Sequence, residues 1–150
     1  MSMLYYSLVY PYLTYCNLIW GKTYSTHLKP IEIKQKRCLR IMNNSEYRDH
    51  TRPLFFSNKL LQLCDIYKFR LATFMYKSPV FVNSFSRLHS HNTRDRASLR
   101  SQVQRLTVSL KSLSFQGPDL WNKIPPEIKE VESVAIFKKR LKEYLISKYE

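Results

Sequence analysis

Residues 28–43 read LKPIEIKQKRCLRIMN. At 100° per residue, Leu28, Ile31, Gln35, Cys38, Leu39 and Met42 fall on one side of a helix. Lys29, Lys36, Arg37 and Arg40 fall on the other side, with Ile33 among them. Glu32, the only acid of the stretch, lies off that face, so the cations there are uncompensated. Pro30 fits a first helical turn, where its missing N–H costs nothing. The pattern predicts an amphipathic helix with one side packed and the other turned outward. The cationic side has two readings: a solvated surface, or a helix edge laid along phosphates. Gln35 sits on the apolar side and reads as a buried packing group or a sugar contact.

Upstream, Met1 to Gly21 carries no charge. That length could cross a bilayer, but Tyr5, Tyr6, Tyr10, Tyr12, Tyr15, Asn17 and Pro11 make it too polar for a convincing span. It also lacks the basic start and small-residue cleavage site of a secretory signal. Residues 3–20 are therefore expected to form a buried helix, interrupted or kinked at Pro11, with the tyrosines in the core. Its partner surface could lie outside this chain.

Downstream, residues 44–53 form a polar loop in which His50 is a loop hydrogen-bonder or a further contact residue. A short helical turn is expected at 54–58. Residues 65–77, DIYKFRLATFMYK, predict a helix capped by Asp65 and apolar around most of its circumference, hence a core helix. Residues 82–105 are rich in Ser, Asn, His and Arg and read as linker. Leu106, Val108 and Leu110 alternate with polar residues and predict a short strand. Pro118, Pro125 and Pro126 mark residues 116–132 as a turn region. Ser133 can cap a last amphipathic helix, 134–148, with Val134, Phe137, Leu141, Tyr144 and Leu145 as its stripe. The expected fold is mainly α, a helical bundle with a short β-strand or hairpin and a C-terminal amphipathic helix. Its expected division is a helical region 1–78, a linker 79–105 and a strand-plus-helix module 106–150.

Composition agrees with a packed body that meets polyanions. The 150 residues carry 25 Lys+Arg against 11 Asp+Glu, a net charge of +14, and 44% are hydrophobic. Residues 1–110 hold 17 basic and 5 acidic groups, whereas residues 111–150 hold 8 and 6, so the basic surface belongs to the first two thirds. Gly21 and Gly117 are the 2 glycines, too few for a phosphate-cradling loop. Cys16, Cys38 and Cys64 form no CxxC, and the 4 His complete no zinc spacing. Reduced thiols in an intracellular, non-secreted protein, nuclear or cytoplasmic, are the expectation. The four aspartates, Asp49, Asp65, Asp95 and Asp119, do not cluster, and two-metal chemistry needs converging carboxylates. No GxSxG or HExxH occurs. Neither a catalytic residue nor a cofactor is expected in this chain.

A family resemblance extends this reading. Leu4 to Gly21, LYYSLVYPYLTYCNLIWG, resembles a segment just after the polymerase palm of non-LTR (LINE-type, jockey-like) retrotransposon reverse transcriptases. The match continues through Gln35, Lys36, Arg37 and Arg40, then His50, Pro53-Leu54-Phe55, Asp65 to Lys68, and Phe74 to Lys77. Near the end, Gly117, Pro118, Leu120, Trp121, Asn122, Ile124 and Pro125 follow, then Ser133, Phe137, Lys138, Leu141, Lys142, Tyr144 and Leu145. The resemblance implies the thumb-side part of an RNA-directed DNA polymerase and a helical, thumb-like bundle. It also implies an upstream palm, with paired aspartates and Mg, that this sequence lacks. The chain alone should then be inactive. Lys29, Lys36, Arg37 and Arg40 would grip an RNA/DNA template–primer by its backbone, with Gln35 and His50 as possible contacts. Trp121 and Asn122 read as a fold-locking pair. The alternatives are a stand-alone basic RNA-binding or interaction protein, or a small membrane-associated one using residues 1–21.

Overall fold

A computed structural model describes residues 2–78, 99 and 104–149. The chain is mainly helical, with no strand among the described residues. Most of the expected linker at 79–105 lies outside the described residues. Two compact units are present: residues 1–69 with 139–150, and residues 70–138.

The first unit opens with α1 (Ser2–Leu4), a π-helical stretch (Tyr5–Val9) and α2 (Tyr10–Thr14), one uninterrupted helical run. Pro11 has no N–H for the carbonyl one turn back. The turn before it widens to the i→i+5 pattern, with the Tyr10 N–H donating to the Tyr5 carbonyl. The helix expected over 3–20, interrupted or kinked at Pro11, runs through Pro11 and breaks instead at Tyr15 and Cys16. Tyr15 is extended at ψ 121° and Cys16 is left-handed at φ 46°. The indole Nε1 of Trp20 donates to the Tyr15 carbonyl across this break (2.7 Å), and α3 (Asn17–Trp20) follows.

Expected burial of this segment is also corrected. Tyr5, Leu13 and Asn17 are buried, but Tyr12 and Ile19 are each 81% exposed and Tyr15 is 77% exposed. One face docks, and among the described residues no element covers the exposed tyrosines and Ile19. Gly21 closes the segment at φ −65°, so space and not conformation requires glycine there. A Cβ on Gly21 would stand 2.5 Å from both the Asn17 carbonyl oxygen and the Tyr67 ring.

The amphipathic helix is α4 (Ser25–Met42). It starts earlier than the sequence pattern implied, so Pro30 lies inside it rather than in its first turn. It ends in a Schellman cap: the Ser45 N–H donates to the Arg40 carbonyl (3.0 Å), the Asn44 N–H to the Ile41 carbonyl (3.3 Å), and Asn44 is left-handed at φ 52°. The short helix α5 (Arg52–Ser57) ends the same way, with the Leu60 N–H on the Phe55 carbonyl, the Lys59 N–H on the Phe56 carbonyl, and Lys59 at φ 52°. Phe55 and Leu60, the apolar pair that accompanies such a cap, are both buried.

Helix α6 (Leu63–Lys77) begins two residues before the expected Asp65 cap. Its first N–H groups are satisfied from far along the chain. The Leu63 N–H donates to Gln35 Oε1 (3.0 Å), and the Gln62 N–H to the Tyr149 hydroxyl (3.0 Å). Asp65 instead accepts from the Tyr149 hydroxyl (2.6 Å) and from Lys68 Nζ (2.7 Å). Leu63, Ile66, Tyr67, Leu71, Ala72 and Met75 are buried, as its all-round apolarity predicted.

In the second unit the expected strand at 106–110 is absent. Leu106 (69%) and Val108 (71%) are exposed, and no neighbouring strand among the described residues offers them hydrogen bonds. A 3₁₀ turn (Ser109–Lys111) stands there instead. The predicted turn region begins as a helix, α7 (Leu113–Lys123), with Pro118 inside it. Gly117 admits Met75, whose Sδ would stand 2.6 Å from a Cβ, and Gly117 and Pro118 are both buried. After α8 (Pro126–Lys129), the last helix is α9 (Val134–Ser147), whose residues from Lys139 on belong to the first unit. Its buried stripe is Phe137, Leu141, Leu145 and Ile146, while Lys139, Arg140 and Glu143 are exposed.

Candidate nucleic-acid interface

Helix α4 carries the predicted contact residues, and the packing of its apolar side sets which way they point. Leu39 and Gln35 are fully enclosed, at 0% and 2% exposure. Gln35 Nε2 donates to the Tyr5 hydroxyl (2.8 Å) and to the Leu61 carbonyl (2.9 Å), while Oε1 accepts from Leu63. With both donors and the carbonyl engaged, Gln35 ties the N-terminal segment, α4 and the start of α6 together. It is a packing group and does not face a ligand.

On the opposite side, Lys29 and Arg37 are exposed and Lys36 is half-buried. Among the described residues, no carboxylate pairs with any of the three. Arg40 behaves differently. Its Nε and Nη2 donate to the Asp49 carbonyl (3.0 and 2.9 Å), and its guanidinium carbon lies 6.0 Å from the Tyr47 ring centroid. The Asp49 carboxylate in turn accepts from the Glu46 N–H (2.8 Å). Arg40 therefore holds the 46–49 loop. It keeps further N–H groups, since a guanidinium has five donors. His50 is exposed at the end of this loop.

A cleft of about 390 Å³ lies between the N-terminal segment and α4. Tyr12, Trp20 and Ile31 are among the groups lining it, and Lys34 joins them. Sequence reasoning missed Lys34. On the helical wheel it falls between the two faces, and only docking of the N-terminal segment makes it part of a concave surface.

Tyrosine ionisation reports the tightness of the core beneath this face. Burial pushes the Tyr5 and Tyr67 hydroxyls up to about 12, with the Gln35 hydrogen bond opposing the shift at Tyr5. Burial, then the neighbouring Asp65 carboxylate, pushes Tyr149 further up. None of the three is poised to act as a base near neutral pH. Of the three free thiols, Cys64 is raised by burial and then by the Asp65 carboxylate, which disfavours its thiolate. Among the described residues, no three His, Cys, Asp or Glu side chains gather as metal ligands would. Nor is any helix among them long and apolar enough to cross a membrane.

In the second unit, the Asn122 amide clamps the Leu99 backbone. Its Nδ2 donates to the Leu99 carbonyl and its Oδ1 accepts the Leu99 N–H, both at 2.9 Å. Trp121 lies 6.1 Å from the Phe137 ring centroid and 5.8 Å from Lys129 Nζ. Trp121 is half-buried and Asn122 is exposed. No family model, curated protein or solved structure matches this chain.

Proposed function

We propose that the chain binds a polynucleotide backbone through the outer face of α4, as the thumb-side part of a non-LTR retrotransposon reverse transcriptase that lacks the catalytic palm. The observation that carries the reading is the set Lys29, Lys36 and Arg37, unpaired among the described residues, on one face of a helix whose opposite face is locked by Gln35 and Leu39. A rigidly seated helix holds these cations at fixed spacing, which suits the regular repeat of a phosphate backbone. The net charge of +14 adds long-range attraction. The ordered run of motifs resembling that family supplies the biological context: an RNA/DNA template–primer as partner, Mg at the missing palm, and no chemistry by this chain alone. A stand-alone basic RNA-binding protein is the second reading, favoured by the aromatic cleft beside Lys34, since bases stack on such walls.

The test is anisotropy of a labelled RNA/DNA hybrid and of single-stranded RNA against salt. Three phosphate contacts give a log–log slope near about −3 on a duplex, at about −0.9 per phosphate. The variant carrying Lys29→Ala, Lys36→Ala and Arg37→Ala should bind weakly on every sequence, with a shallower slope and unchanged helical circular dichroism. A wild-type affinity indifferent to salt refutes backbone binding. Preference for single-stranded RNA over the hybrid selects the second reading.

A further inference from the structure

A second concave surface lies away from α4. A groove of about 450 Å³ runs between α5 and α9 within the first unit. Phe56 and Ile146 supply apolar lining, Lys59, Lys139 and Lys142 supply three positive charges, and Glu143 supplies one negative charge. Phe56 remains 39% exposed, an aromatic ring left open to a ligand.

The Lys142 ammonium and the Lys59 backbone are held in place. Lys142 Nζ donates to the Tyr6 hydroxyl (3.1 Å) and lies 5.6 Å from the centroid of that ring. Both contacts orient the ammonium and neither neutralises it. Lys59 is the left-handed residue of the α5 cap, so its backbone is fixed by two hydrogen bonds. Among the described residues, no carboxylate pairs with Lys59 or Lys139.

We propose that this groove docks an acidic amphipathic helix of a partner protein. A large apolar side chain of that helix packs on Phe56 and Ile146, and its flanking carboxylates meet the three lysines. Spacing supports a helical occupant. Lys139 and Lys142 are about 4.5 Å apart along α9, at about 1.5 Å per residue. Carboxylates three or four residues apart on a facing helix repeat at a similar interval. Glu143 argues against a nucleic acid, whose phosphates bring like charge onto it, whereas a polypeptide can offer it a donor. A second copy of this chain is disfavoured by repulsion between two bodies of charge +14.

The probe is a fluorescein-labelled helical peptide of about 14 residues, with Leu at helical spacing and Glu on either side, measured by anisotropy against the full chain. A peptide of the same composition in scrambled order is the comparator. Phe56→Ala and Lys139→Glu are each expected to weaken the ordered peptide by at least about tenfold, as anchor residues do. Lys139 is exposed, so its variant keeps the test valid if Phe56→Ala fails to fold. Equal binding of the scrambled peptide, or indifference to both substitutions, overturns the proposal. Phe56→Ala weakening single-stranded RNA and not the peptide overturns it in favour of a nucleic-acid groove. Failure here leaves the α4 reading untouched, because the salt experiment reports on Lys29, Lys36 and Arg37.

Discussion

At the scale of single residues, Gln35 carries more of the structure than any surface charge beside it. It satisfies a tyrosine hydroxyl, a loop carbonyl and a helix-capping N–H from one buried position. Gln35→Leu keeps the volume and removes all three partners. The orphaned groups should cost about 2–3 kcal/mol together, because buried unsatisfied polar atoms are expensive. Urea unfolding followed by circular dichroism measures this, and a loss under about 0.5 kcal/mol would show that the network is dispensable. From the sequence, Gln35 was legible as a polar residue on an apolar side. Its three partners were not, since they lie 26 to 30 positions away and meet it only in the fold.

At the scale of elements, helix ends explain most departures from sequence expectation. Asp65 looked like a cap because Asp favours that position. The true start is capped by Gln35 and Tyr149, side chains that no local window contains. Ends α4 and α5 use left-handed Asn44 and Lys59 where glycine is the common choice. Lysine pays a steric penalty in that conformation. Lys59→Gly should therefore stabilise the fold by about 0.5–1 kcal/mol. The check is a rise in the denaturant midpoint at unchanged slope, and a fall would mean that the Lys59 side chain contributes packing. The expected strand failed for a related reason. Alternation at 106–110 satisfies the period of a strand, but a strand requires a partner to bond, and the described residues supply none.

For the whole molecule, stability should depend on pH at the alkaline end. Tyrosines ionise near 10 in an unfolded chain, whereas Tyr5 and Tyr67 are held up to about 12 and Tyr149 higher still. Above pH 10 the folded state binds more protons than the unfolded one, so stability falls as pH rises. The contribution is complete below pH 10 and is lost progressively toward 12 and beyond. Tyr67 separates ionisation from hydrogen bonding, because its buried hydroxyl has no partner among the described residues. Tyr67→Phe should be neutral or stabilising by about 1 kcal/mol at pH 7 and should flatten the fall between pH 10 and 12. Thermal melts at stepped pH would decide it. A variant losing stability at pH 7 would show that the hydroxyl is satisfied in solution.

Much of this architecture follows from local chemistry. The two-sided pattern of residues 28–43 determined a helix with Lys29, Lys36 and Arg37 outward, and the apolar girth of residues 65–77 determined a buried helix. Those signals survive because periodicity is read within one element. The tertiary structure alone decided that Arg40 holds a loop, that most tyrosines of the N-terminal segment stay exposed, and that α5 and α9 enclose a lysine-lined groove. Each of these depends on which distant surfaces meet. Helical period states which side chains share a face, and only long-range packing states what that face finds opposite it.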